Sequence, residues 1–253
     1  MKLTVGAAIF VFLCALAPHS VAKADDSGRK IVKQALDALP RVSFQARVKV
    51  TNDDGLSREL DLRHKLVDNA RSSYLEVTAP TDLAGIRFLF LHRIDQPPLQ
   101  YIKVAASRRS VLVSNEARAQ PFLDSTYYVA DVIEPELDAF SYRIVSDGEV
   151  QGRKCTFIEA TPKEPDHQIY SKSVVAIDSV DHLILQRDFY DRKGELAKVA
   201  AVEQFEKIDG IWTIRKQTMK NLKENRSSTI ELTEIRYGVD IPDAVFKPEY
   251  LLR

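Results

Sequence analysis

Lys103, Arg108 and Arg109 lie in "YIKVAASRRSVLVS", between two strand-like stretches. Three cations there could ring the mouth of a cavity and meet an anionic head group. They would equally suit a charged hairpin tip that keeps a sheet edge soluble. Glu134, Glu136 and Asp138 in "VIEPELDAF" could act as acid and base if the fold gathered them, but such a run also serves as a solvated loop. His64, His92, His167 and His182 show no metal-ligand spacing and read as strand-edge or loop residues. Asp181-His182 is a turn dipeptide with no serine nucleophile beside it. The chain also lacks GxSxG, GxxxxGK[ST] and HExxH, which anchor serine-hydrolase, phosphate-loop and zinc-protease chemistry. These residues indicate no catalytic group, no metal and no cofactor.

The first 24 residues read as an export signal. Lys2 supplies the positive start, Val5 to Leu16 is an apolar core too short to span a bilayer, and Ala22-Lys23-Ala24 offers small residues for cleavage. The residue before Cys14 is Leu13, where a lipobox wants a small residue, so a soluble, periplasmic, non-lipidated protein is expected. Without Lys2 and Lys23, 34 basic residues face 36 acidic ones. A net basic face for nucleic acid is therefore not foreseen. Cys155 is then the one remaining cysteine, and its strand setting in "KCTFIEA" suits a small core residue better than a reactive thiol.

The elements that must position any site are mostly strands. Residues 27–39 form the exception at the start, an amphipathic helix that Ser27 can cap and Pro40 ends, with Ile31, Val32, Ala35, Leu36 and Leu39 in one stripe. "VSFQARVKV" (42–50) alternates Val42, Phe44, Ala46, Val48 and Val50 with polar residues, as a sheet with one wet face does. Asp54-Gly55, Asp147-Gly148, Lys193-Gly194 and Asp209-Gly210 suit hairpin turns, which predicts a meander of neighbouring strands. About ten antiparallel strands in one sheet must curl. No linker divides residues 25–253, and a single domain is expected.

Two stretches break the alternation. Ile86 to Leu91 is apolar at five of six positions, so both faces of that strand should be dry, with Ile86, Phe88 and Phe90 on one side and Leu89 and Leu91 on the other. Residues 115–140 gather apolar and aromatic side chains with Pro121 and Pro135, and carry a short helical pattern around 129–137. This segment could lie over the concave face as a lid, beside helix 27–39.

"PTDLAGIRFLFLHRID", "LQYIKVAASRRSVLVS", "PFLDSTYYVADV" and "YDRKGELAKVAAVEQFEKIDGIWTIRKQTM", closed by "IPDAVFKPEYL", resemble in order the exported outer-membrane lipoprotein-sorting-like proteins, relatives of the LolA and LolB carriers. The chain departs from that pattern at Asp124, where Gly is usual, and at Val104 and Ile214, where Pro is common. The resemblance implies a mainly β, α+β protein: a half-open antiparallel β-barrel whose concave face is covered by short helices and accepts acyl chains. It further implies a periplasmic carrier of lipid or lipoprotein, to or from the outer membrane. Two other readings stay open: an adaptor of a resistance-nodulation-division (RND) exporter without its own lipid, and, more remotely, an enzyme on the same fold.

On the carrier reading the cavity is lined by Phe44, Val48, Leu75 and Val77, and by Phe88, Phe90 and Tyr101. Phe122, Tyr127 and Tyr128 sit on the lid, with Asp131 capping its short helix, and Lys103, Arg108 and Arg109 meet a head group or partner. The ligand is an acyl chain, the partners an RND-type exporter or an outer-membrane acceptor, and the protein a monomer. The hollow should be open from outside, and its lid weakly packed so that cargo can leave. On this reading Phe90→Asp places a charge in the hollow and abolishes lipid capture, measured by mass spectrometry of organic extracts; capture retained by a folded variant removes Phe90 from the site.

Overall fold

A computed structural model describes residues 26–68, 70–93, 96, 98–133 and 136–253. The expected signal, Glu134, Pro135 and the side chain of His167 lie outside the described residues. Helix α1 (Asp26–Asp37) precedes six strands: β1 (Phe44–Asn52), β2 (Ser57–Val67), β3 (Ala70–Ala79), β4 (Arg87–Arg93), β5 (Leu99–Lys103) and β6 (Val111–Leu112). Seven more follow a long crossing: β7 (Phe140–Val150), β8 (Arg153–Pro162), β9 (Lys172–Asp178), β10 (Ile184–Tyr190), β11 (Leu196–Ile208), β12 (Ile211–Asn221) and β13 (Arg226–Tyr237). All thirteen form one antiparallel sheet in the order β6-β5-β4-β3-β2-β1-β13-β12-β11-β10-β9-β8-β7.

The meander holds within each half, and β13 returns to pair with β1 at the centre, Val48 opposite Leu232 and Val50 opposite Ile230. The sheet stays unclosed, with β6 at one edge and β7 at the other. Asp54-Gly55 and Asp209-Gly210 occupy turns, with φ of +87° at Gly55 and +81° at Gly210. Asp147-Gly148 does not: it lies inside β7, where Gly148 pairs with Cys155. The turn there falls instead at Gln151-Gly152, with φ of +50° and +75°. Gly148 serves close approach, since a Cβ on it would stand 2.8 Å from the ring of Phe157.

Each face is covered by a different part of the chain. On the inner face, Val48, Val50, Leu60, Leu75, Val77, Phe88, Phe90, Ala200 and Met219 form one apolar surface with Phe122 and Tyr127 of the crossing segment. Helix α1 extends that cover toward β7 and β9, with Val32 and Ala35 packed against Tyr142, Ile158, Val175 and Ile177. On the outer face, Tyr74, Leu89 and Leu91 are sealed by Ile241, Val245, Phe246 and Leu251 of the final segment. Both faces of β4 are dry because protein covers each: Phe88 and Phe90 face inward, Leu89 and Leu91 outward. Burial of such side chains contributes roughly 1.5–3 kcal/mol each.

The crossing, residues 113–139, joins the two sheet edges and contains a short helix, α2 (Asn115–Arg118). Residues 120–129 fold back as a tongue: Phe122 N–H donates to Tyr127 O at 2.7 Å, Val129 N–H to Gln120 O at 3.0 Å, and Pro121 bridges to Tyr128. Short 3₁₀ turns, Val129–Val132 and Leu137–Ala139, stand where the sequence suggested one helix. The tip of the tongue carries two successive left-handed residues, Leu123 (φ +51°) and Asp124 (φ +58°). Asp is among the residues that tolerate this region, but Gly enters it without strain. The Asp124 carboxylate also pairs with Arg58 at 3.3 Å. Asp124→Ala should lose the pair and increase the strain, lowering stability by about 1–3 kcal/mol. Asp124→Gly should be about 1 kcal/mol less damaging. Denaturant titration distinguishes them, and equal losses would exclude strain at this turn.

Candidate functional site

The inner face beneath the tongue is where the sheet's apolar surface and the chain's buried charges meet. Phe122 and Tyr127 enter it as neighbours on the two limbs of the tongue and are 3% and 1% exposed. Phe122 tilts against Phe88 with ring centroids 5.0 Å apart, and Tyr127 OH donates to Gln217 O at 3.1 Å. The tip is tied down by polar contacts: Asn52 Nδ2 donates to Asp124 O at 2.9 Å, Thr126 N–H to Ser228 Oγ at 2.9 Å, and Thr126 Oγ1 to Met219 O at 2.9 Å. The lid therefore lies in the hollow as a plug. It is neither weakly packed nor held above an open space, because its aromatic side chains fill the surface that a ligand would use.

Beside the plug, Lys198 of β11 reaches inward from an alternating strand. Its ammonium donates to Thr126 O at 2.7 Å, stands 3.5 Å from Asp131 Oδ2, and lies 3.0 Å from the centroid of the Tyr128 ring. Asp131 accepts from the Tyr128 N–H at 2.8 Å and from Tyr170 OH at 3.1 Å to each oxygen. The expected capping role of Asp131 is thus present, on a 3₁₀ turn. Both charged side chains are 2% exposed. Burial pushes the Asp131 carboxyl up and the Lys198 ammonium down, while their mutual attraction opposes both shifts. Polar groups thus converge beside the plug and satisfy one another.

The remaining sequence candidates separate. Val48, Leu75, Val77, Phe88 and Phe90 share the inner apolar surface. Tyr101 does not: it pairs with Leu89 and packs on the outer face, while its neighbour Ile102 faces inward opposite Phe88. The error lies in the β4–β5 register, since a shift of one residue exchanges faces. Phe44 stacks on His64 at 4.8 Å and tilts toward Tyr237, outside the central cluster. Phe90 is 7% exposed and packed in the core, so a carboxylate there would disrupt folding as well as capture. Lys103, Arg108 and Arg109 stand on the β5–β6 hairpin, Arg108 and Arg109 exposed, and none of the three lines the cavity behind the tongue. A cavity of about 120 Å³ opens behind the tongue between Ile133, Phe140, Tyr170 and Phe189. Its cations are Arg118 of α2, Lys172 of β9 and Arg187 of β10, none of which the sequence singled out.

The other expected acids and histidines are dispersed. Asp138 pairs with Arg29 and Asp181 with Arg153. Among the described residues no group of His, Cys, Asp and Glu could hold a metal ion. Cys155 is buried, as its strand setting suggested. His64 proves to be an interior residue of β2, with Nδ1 2.9 Å from Ser73 Oγ and Nε2 without a partner.

A family model described as an uncharacterized protein matches residues 69–253, and the chain belongs to that family. No curated protein matches the chain. Among solved structures, a domain described as an outer membrane lipoprotein-sorting protein from Vibrio parahaemolyticus superposes with a TM-score of 0.82 at 20% identity, covering 90% of this chain and 99% of that one. A DUF1329 family protein from Desulfovibrio piger gives 0.82 at 23%, again over 90% and 99%. A LolA superfamily protein from Nitrosomonas europaea gives 0.69 at 18%, over 88% and 98%. The fold is accordingly the curled, unclosed half-barrel of the LolA and lipoprotein-sorting structures.

His64 supplies a pH signature for this face. Burial holds its pKa at about 4, below the ordinary 6.5. The stability contributed by keeping it neutral is present above pH 6.5 and is lost as pH falls through 6.5 toward 4, up to about 3 kcal/mol. Denaturant midpoints of the wild type should fall across that window more steeply than those of His64→Asn; parallel curves would show that His64 is not the titrating group.

Proposed function

We propose that this protein is a periplasmic carrier, not an enzyme, which shelters the acyl chain of a lipid or lipoprotein on the inner face of its half-barrel after the tongue has withdrawn. One observation carries this reading. The inner apolar surface is covered by a single tongue tied at its tip and base, rather than by a second layer of sheet. Such a cover can leave without dismantling a strand.

The energies make the exchange feasible. A sixteen-carbon chain brings on the order of 10 kcal/mol at about 0.8 kcal/mol per buried methylene. The tongue gives up two buried aromatic side chains at roughly 1.5–3 kcal/mol each and several hydrogen bonds at about 1 kcal/mol each. The two occupants are comparable, which is what loading and release require of a carrier. In the closed state the cavity of about 120 Å³ falls below the roughly 300–1,000 Å³ typical of ligand pockets. Loading therefore requires the tongue to move. The LolA-like fold of the solved structures supports the carrier class, and among the described residues no helix is long and apolar enough to cross a membrane.

The adaptor reading is favoured by a different feature, the exposed β5–β6 hairpin, where Val104, Val111 and Leu112 are exposed beside Arg108 and Arg109 at an open sheet edge. Native mass spectrometry of protein taken from its own periplasm separates the two: a lipid adduct supports the carrier, while lipid-free protein that retains an exporter supports the adaptor. A disulfide between Thr126→Cys and Ser228→Cys should lock the tongue, abolish uptake of a fluorescent fatty acid, and be reversed by reductant. Undiminished uptake by the oxidised variant would exclude tongue withdrawal.

A further inference from the structure

Arg187, at the centre of β10, projects into the cavity behind the tongue. Its Nε donates to Ser173 Oγ at 3.3 Å, and its guanidinium carbon lies 4.8 Å from the centroid of the Phe189 ring. Those contacts use one donor and one face of a group with five donors. Among the described residues, no carboxylate forms an ion pair with it. Asp131, the acid whose charge acts on it, has both oxygens engaged by Tyr170, Tyr128 and Lys198. Burial pushes the Arg187 pKa down, but a guanidinium stays charged in proteins. A half-buried guanidinium with no ion-pair partner among the described residues is a group that a bound anion would stabilise.

The rest of the cavity adds to this charge. Arg118 and Lys172 also line it, against Asp131 and Glu136. Among the described residues Arg118 donates to neutral acceptors, Gln100 Oε1 at 2.9 Å and Pro98 O at 3.4 Å, with Glu136 acting on it through its charge, and Lys172 is held by Glu159 at 2.7 Å. Apolar side chains, among them Ile133, Phe140 and Phe189, form the other wall. A planar fork beside an apolar wall matches a carboxylate or phosphate attached to hydrocarbon.

We propose that this cavity is a binding site for an anionic head group, a carboxylate or phosphate monoester, on an apolar molecule, with Arg187 as its bidentate partner. Arg118 flanks the group, and the wall of Ile133, Phe140 and Phe189 receives the first carbons of its tail. The anion site stands on the cavity itself; only the lodging of a long tail rests on the carrier reading.

Calorimetric titration of the mature protein with dodecanoate, dodecyl phosphate, dodecyl maltoside and inorganic phosphate, each below micelle formation, tests it. Dodecanoate and dodecyl phosphate are expected to bind at least tenfold more tightly than dodecyl maltoside. Arg187→Gln should erase that preference while leaving maltoside affinity unchanged, and Arg187→Lys should retain part of it. Inorganic phosphate that binds as tightly as dodecyl phosphate, and is lost in Arg187→Gln, supports the anion site with free phosphate as its source and counts against the carrier reading. Equal affinity for charged and neutral amphiphiles, unchanged in Arg187→Gln, overturns the proposal and leaves the carrier standing. Failure of every anionic probe to bind the wild type overturns it as well. Should Arg187→Gln not fold, the wild-type charge series and Arg187→Lys decide.

Discussion

Phe122 and Tyr127 pressed into the inner face of the sheet form the contact on which the rest of this molecule depends. A half-open sheet of thirteen strands has an apolar concave side that cannot be left wet, and the two rings cover its centre where neither α1 nor the final segment reaches. Their burial fixes the position of the tongue. The tongue in turn fixes Asp131, and with it the polar cluster and the small cavity behind. The segment that carries the chain from β6 to β7 thus also supplies the tongue that fills the hollow.

The polar cluster explains how an apolar plug acquires a single seating. Hydrophobic contact is non-directional, whereas Lys198 must satisfy Thr126 O and Asp131 together, and Asp131 must accept from Tyr170 and Tyr128. Moving the tongue by one residue would leave buried charges unpaired, at several kcal/mol. The strained Leu123-Asp124 tip works in the opposite sense, storing backbone energy in the element that the carrier reading requires to move. The tongue is thus held by the cluster at its base and strained at its tip.

Charge is distributed according to the same logic. The basic residues most visible in the sequence, Arg108 and Arg109, lie outside on a hairpin at the sheet edge, where they discourage edge-to-edge pairing. The cations that matter to the hollow are single residues on strands, Lys198 and Arg187. Each occupies a position that alternation assigns to one face without saying whether that face is water or cavity.

The sequence alone determined what local rules can carry: an amphipathic first helix ended near Pro40, alternating strands joined by Gly turns, two dry faces at Ile86–Leu91, and a central segment that abandons alternation. Those features, with the order of segments resembling lipoprotein-sorting-like proteins, made the curled sheet and its cover legible. Local signals failed where register or partner choice decided the outcome. Tyr101 reads as a cavity residue alongside Phe88 and Phe90, but the β4–β5 register sets it opposite Leu89 and so outward. Asp147-Gly148 has the composition of a turn, yet the approach of Phe157 places it within a strand. Only the tertiary structure decided that the lid is a plug, that Lys198 meets Asp131, and that Asp131 and Arg187 line one cavity. Those residues lie far apart in the chain, and the free energy that unites them arises only when the crossing segment is laid over a finished sheet.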